Sequence, residues 1–181
     1  MKTLTLLRHA KSGWDDPVAR DFDRPLNEKG KKAASTMGRK ARDLGVSPDR
    51  LIASPAARVK QTLESFFEGL GQSIEPIWDK RIYLASSSTL LDVIRETDAS
   101  VEHLMLVGHN PGLEDLILDL VPDDGSSPLR DIVEIKYPTA SLAQLSWDGT
   151  DWQSLGPESG VHIDTLTRPR DLDPALGPDH H

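Results

Sequence analysis

The chain of 181 residues contains no cysteine. Disulfides, thiolate catalysis and zinc–sulfur sites are thereby excluded, and nothing points to an oxidising compartment. Positive charge is scarce as well: 21 Lys and Arg stand against 29 Asp and Glu, a formal net charge of −8. That balance argues against a general binder of nucleic acid or of membrane surfaces, so neither partner is expected, and a local basic pocket would stand out. Long apolar runs are also missing. Residues 1–7 are too short a run for a signal peptide, and no stretch approaches the ~20 residues of a membrane span, so a cytoplasmic protein is expected. There is no phosphate-binding G-x-x-x-x-G-K-[ST] loop and no H-E-x-x-H spacing. "GLGQSI" at Gly69 follows a helical pattern and reads as a helix stop.

What is present is an alternation of strand-like and helix-like patterns. The apolar run at residues 3–7 predicts a strand, and a polar loop with Asp15, Asp16, Pro17 and Asp21 leads to a helix capped near Asn27. Ala33, Met37, Ala41 and Leu44 form that helix's apolar face, and Gly45 stops it. Residues 51–53 predict a second strand, with Ser54 and Pro55 opening a helix whose core face is Val59, Leu63, Phe66, Phe67 and Leu70. A short strand over 74–78 and a helix carrying Leu90, Leu91, Val93 and Ile94 follow, with the cap among Ser86, Ser87 and Ser88. Residues 103–107 predict a strand, then a Gly108-His109 corner and a helix opened by Asn110 and Pro111. Further on, 132–136 and 140–147 read as strands, with Asp148-Gly149 turning into a hairpin arm at 152–155. The expected fold is α/β, a three-layer α/β/α sandwich with a mostly parallel central sheet and an antiparallel C-terminal edge strand or hairpin. Residues 1–167 read as a single domain. Residues 168–181, rich in Pro and Asp, read as a tail that is poorly ordered unless it docks.

Three strands end next to a cationic or protonatable group: Arg8 with His9, Arg58, and His109. Ligands of open α/β sheets bind at the carboxyl ends of the strands, so these four side chains are expected to share a pocket. Two helix N-termini at its edge favour an anion. Arg58 lies in a first helical turn, where side chains tilt back toward the strand end. Two guanidinium forks, two imidazoles and two helix starts describe a phosphoryl site. His103, His162, His180 and His181 lack that placement. Trp14 reads as packing or a pocket edge, and Asp15 and Asp16 as a capping loop or, with the imidazoles, metal ligands.

At these residues the chain resembles the histidine phosphatase superfamily (phosphoglycerate mutase-like), and within it the small SixA-like branch of phosphohistidine phosphatases. "LLRHAKSGWDD" resembles the R-H-G signature, "RPLNEKG" the start of the following helix, "SPAARVKQT" the second arginine motif, and "VGHNPGLE" the second histidine motif. "YPTASLAQLSW" is similar to the branch's final strands. The resemblance implies an enzyme, a metal-independent phosphatase without cofactor. His9 would be the catalytic nucleophile, with Arg8, Arg58 and His109 binding phosphoryl oxygens. It implies as substrate a phosphorylated protein, such as a histidine phosphotransfer domain, or a small phosphate ester. Ala10 departs from the usual glycine. Leu84 stands about where larger members carry a carboxylate general acid, which leaves Asp15 and Asp79 as candidate proton donors. An imidazole leaving group can do without such an acid, which favours protein phosphohistidine over a small phosphomonoester. Other readings are a non-catalytic phosphate-binding module and a metal hydrolase built on His9, His109 and Asp15.

Overall fold

The computed structural model describes residues 1–13 and 20–178. Trp14, Asp15, Asp16, His180 and His181 lie outside the described residues. In chain order the elements are β1 (Lys2–Arg8), α1 (Glu28–Asp43), β2 (Arg50–Ala53), α2 (Ala57–Leu70), β3 (Pro76–Trp78) and α3 (Ser87–Arg95). They continue with β4 (His103–Gly108), α4 (Gly112–Leu120), α5 (Pro128–Ile135), β5 (Leu142–Trp147), β6 (His162–Thr167) and the short α6 (Pro169–Leu172).

The strands form one sheet in the order β3-β2-β4-β1-β5-β6. β1 to β4 pair in parallel, whereas β5 runs antiparallel to both β1 and β6. Period-two alternation along the buried strands builds the layers. Leu4, Leu6, Leu104 and Leu106 pack with α3, α4 and α5 through Val93, Leu116 and Val133. Leu7, Met105 and Val107 turn to the other face and meet Met37, Ala41, Val59 and Phe66 of α1 and α2. The three-layer sandwich with a mostly parallel sheet and an antiparallel C-terminal edge is therefore the observed fold.

Local signals hold where they are strongest. Asn27 caps α1, accepting from the Gly30 N–H at 2.8 Å, and Ser86 caps α3. Two expectations need correction. Residues 132–136, expected as a strand, belong mostly to α5: the Ser127 side chain caps that helix and Pro128 opens it, burying Arg130 and Val133. The hairpin arm expected at 152–155 is a loop. Trp152 is fully buried there, its indole N–H donating to the Val101 carbonyl at 2.8 Å and its ring meeting Trp147 edge-on, and the strand pairing with β5 is β6. Residues 168–178 dock on the rest of the chain, the condition on which order is expected there. Leu176 joins Ala10, Leu26, Ala33, Ala34 and Ala140 in a small apolar cluster, and the Lys29 ammonium donates to the Gly177 carbonyl at 2.6 Å.

Candidate active site

β1, β2 and β4 end on the same side of the sheet, in register, with Arg8 opposite Gly108 and Ala53 opposite Val107. The chain leaves β1 at His9, whose N–H donates to the Gly108 carbonyl at 3.1 Å. The Ala10 N–H donates to the Thr62 hydroxyl at 2.9 Å, and that hydroxyl donates to the Arg58 carbonyl at 2.6 Å, tying the exit of β1 to the first turns of α2. Ala10 is fully buried in the small cluster, so the core accommodates the methyl group that replaces glycine. Gly30 has the reverse requirement. A Cβ there would lie 2.1 Å from the Lys11 carbonyl oxygen, so only glycine lets α1 approach this segment.

His9, Arg8, Arg58 and His109 line one cavity of about 340 Å³, together with Asp21, Leu84 and others. The expected quartet is thus brought together. The two imidazole centroids are 5.2 Å apart. His9 Nδ1 is 2.7 Å from the carbonyl oxygen of Ala10. A carbonyl only accepts, so Nδ1 carries the proton and Nε2 keeps its lone pair. His109 has Ser54 Oγ 2.7 Å from Nε2 and the Arg58 guanidinium 3.4 Å from Nδ1. Arg8 donates to the Tyr137 carbonyl at 3.0 Å, and the Asn110 amide donates to the same oxygen at 2.9 Å. The buried Nε–H groups of Arg8 and Arg58 have no hydrogen-bond partner among the described residues.

Arg58 is only 2 % exposed, and its charge is met by Asp21, whose backbone carbonyl and carboxylate accept from the guanidinium at 2.9 and 3.0 Å. The same carboxylate accepts from the Tyr83 hydroxyl at 2.6 Å and from Arg24 at 3.2 Å. Partial burial pulls the Asp21 carboxyl up, but the Tyr83 hydroxyl and the Arg58 guanidinium outweigh it, so the net shift is downward. Sequence reasoning placed Asp21 in a polar loop and missed this role, as it missed Ser54 and Tyr83 as supports of His109 and Arg58. The one local hint is the spacing of Asp21 to Arg24. Asp79 is not in the cavity: it caps the turn at Lys80–Ile82 and pairs with Arg81 at 2.7 Å, which holds its carboxyl low. A proton donor there is not supported. His103 lies elsewhere, its ring 2.6 Å from the Thr5 hydroxyl. Among the described residues no group of three or more His, Asp or Glu side chains could hold a metal ion.

Burial lowers His9 to about 3, with the Ala10 carbonyl opposing and the His109, Arg8 and Arg58 charges adding. Burial followed by the Arg58 charge does the same to His109, also to about 3. Both rings are neutral at pH 7, as a nitrogen nucleophile requires. Below the ordinary histidine value of about 6.5 the unfolded chain binds protons that the native site refuses, so stability falls as pH drops from there toward about 3. Imidazole resonances of His9 and His109 are expected not to titrate between pH 5 and 8, and the urea midpoint is expected to fall on going from pH 7 to pH 5.

A buried pair of neutral imidazoles framed by two guanidiniums, at the carboxyl ends of parallel strands, defines a class of α/β proteins built to handle an anionic group. Residues 4–82 match the model of the histidine phosphatase superfamily (branch 1). An uncharacterized chloroplastic protein of Arabidopsis thaliana is 30 % identical over 180 residues, covering 93 % of this chain and 78 % of its own length. A candidate phosphohistidine phosphatase SixA from Agrobacterium tumefaciens has a similar structure, with a TM-score of 0.77 and 31 % identity, over 93 % of this chain and 98 % of its own. A second candidate SixA, from Nakamurella multipartitia, superposes with a TM-score of 0.76 at 29 % identity, over 93 % and 96 % of the two chains. The chain belongs to the histidine phosphatase superfamily and is SixA-like within it. It is a phosphatase. Among the described residues no helix is long and apolar enough to cross a membrane.

Proposed function

We propose that phosphate passes through a covalent intermediate on His9 and that the substrate is phosphohistidine carried by a protein, such as a histidine phosphotransfer domain. Nε2 of His9 attacks phosphorus in line with the departing group. The substrate ring, already protonated from solvent on its other nitrogen, keeps the electron pair of the breaking P–N bond and departs as neutral imidazole. Arg8 and Arg58 hold the equatorial oxygens through preorganised N–H donors. His109, whose Nδ1 accepts from the Arg58 guanidinium while its Nε2–H donates to Ser54, steadies that guanidinium beside the phosphoryl group. Water then attacks the phosphoenzyme, releases inorganic phosphate and restores His9.

The observation that carries the substrate class is the state of Asp21. It is the only carboxylate among the described residues lining the cavity, and its lowered pKa keeps it ionised at neutral pH. It is therefore no proton donor, and Leu84 at the mouth offers none. An alkoxide leaving group loses roughly 10²–10⁴-fold in rate without a general acid, whereas imidazole leaves as a stable neutral ring. The resemblance at 31 % identity to a candidate phosphohistidine phosphatase supports the same reading. The kcat/KM for a histidine-phosphorylated protein is expected to exceed that for alkyl phosphomonoesters by about 10²-fold or more, with full activity retained in excess EDTA. A reversed preference would refute the substrate class, and loss of activity with chelator would refute the metal-free scheme.

A further inference from the structure

Next to the candidate active site lies a second cavity of about 410 Å³, and the two share Arg8, Lys11 and Thr139. Its cationic lining is Arg8, Lys11, Lys29, Lys136 and Arg170, and among the described residues no carboxylate lines it. In a chain with a formal net charge of −8 this is a pronounced local reversal of sign. The far wall is the C-terminal segment, held by Leu176 in its apolar cluster and by the Lys29 bond to Gly177. That wall sorts its own charges. Asp171 is turned back onto Arg168 at 2.8 Å, and Asp173 caps the turn at Pro174–Leu176, while Arg170 lines the cavity.

Apart from Thr139 and Gly177, the remaining lining is apolar: Ala33, Pro138, Pro169, Leu176 and Pro178. A ligand that is anionic on every side, such as a small polyphosphate, would leave these surfaces without a match. A stretch of protein carrying carboxylates beside apolar side chains matches both. We propose that this trough docks an acidic surface of the phosphorylated protein, adjacent to the phosphohistidine seated at His9. The inference rests on the reading of the substrate as protein phosphohistidine. Docking supplies the binding of the part that does not react, and electrostatic attraction supplies the approach.

The test compares three substrates: free phosphohistidine, a phosphohistidine peptide flanked by Asp, Glu and Leu, and the same peptide with Ser in place of the acids. The acidic peptide is expected to show a kcat/KM about tenfold or more above the neutral one at low salt, with the gap closing as salt is raised. Reversing the charges with Lys136→Glu and Arg170→Glu is expected to abolish or invert that preference. Turnover of free phosphohistidine should stay unchanged in the double variant, which shows that the chemistry and fold are intact. Equal rates for the two peptides, or a preference that survives the double variant, would overturn docking in the trough. A charge-reversal-sensitive preference for small esters bearing a second phosphate would instead make the occupant a metabolite, and would also overturn it. Failure to hydrolyse a histidine-phosphorylated protein or either peptide in the wild type overturns the underlying substrate reading, separately from the trough.

Discussion

Phosphate that is labile to acid and stable to base will be found on the peptide containing His9 when turnover is stopped with alkaline denaturant and labelled substrate. The expectation follows from the ring's surroundings. Its Nδ1 is committed to the Ala10 carbonyl at 2.7 Å, which leaves Nε2 as the basic nitrogen, and burial keeps the ring unprotonated. A neutral, oriented imidazole beside two guanidiniums needs no general base, because it carries no proton on the attacking atom. His9→Ala removes the bond-forming atom itself. Losses on deleting a covalent nucleophile run to about 10⁴–10⁶-fold in kcat, and a fall in that range is expected here, together with disappearance of the labelled peptide. Labelling of a different histidine, or near-normal turnover without His9, would sink the covalent scheme.

Arg58→Ala is expected to lower kcat/KM by roughly 10³-fold, the scale for removing one preorganised donor from a developing anion. The change has a structural cost as well, because Arg58 is 2 % exposed and neutralises Asp21 at 3.0 Å. Taking the cation away leaves a carboxylate that Tyr83 and Arg24 still hold, so partial destabilisation rather than unfolding is expected. Arg58→Lys separates the two contributions. Charge is retained while the planar fork is lost, so kcat/KM should still fall by about 10²-fold with a Tm close to that of the parent. If the lysine variant were fully active, or if its activity loss merely followed its loss of fold, Arg58 would be a structural residue.

Much of the fold was legible because its signals are local. β1, β2 and β4 each carry an apolar run closed by a polar corner, and Asn27 and Ser86 cap their helices through neighbours three residues away. Arg8, His9, Arg58 and His109 were legible for a similar reason: Arg8 ends β1, His9 and His109 follow their strands directly, and Arg58 is in the first turn of the helix after β2. The errors came where local and tertiary preferences compete. The β-branched residues of 132–136 suggest a strand, yet Ser127 and Pro128 start a helix that buries Val133. Trp152 looked like part of a hairpin because its partners, Val101 and Trp147, lie on other elements. Asp21 was missed for the same reason. Its contacts to Arg58 and Tyr83 span 37 and 62 residues of sequence, and no periodicity encodes such distances. The docking of Leu176 depends on a small apolar cluster assembled from four separate stretches of chain.

β1 lies inside the sheet, bonded to β4 on one side and to β5 on the other, with Leu4, Leu6 and Leu7 fully buried. The candidate nucleophile follows its last residue. Loops fray and edge strands peel at little cost, but an interior strand is released only when the sheet comes apart. His9 consequently moves away from its neighbours only with the sheet, and under the proposed scheme catalytic competence and the folded population rise and fall together. Assays of turnover then double as a running census of intact molecules, something an enzyme with its nucleophile on a hinged flap cannot provide.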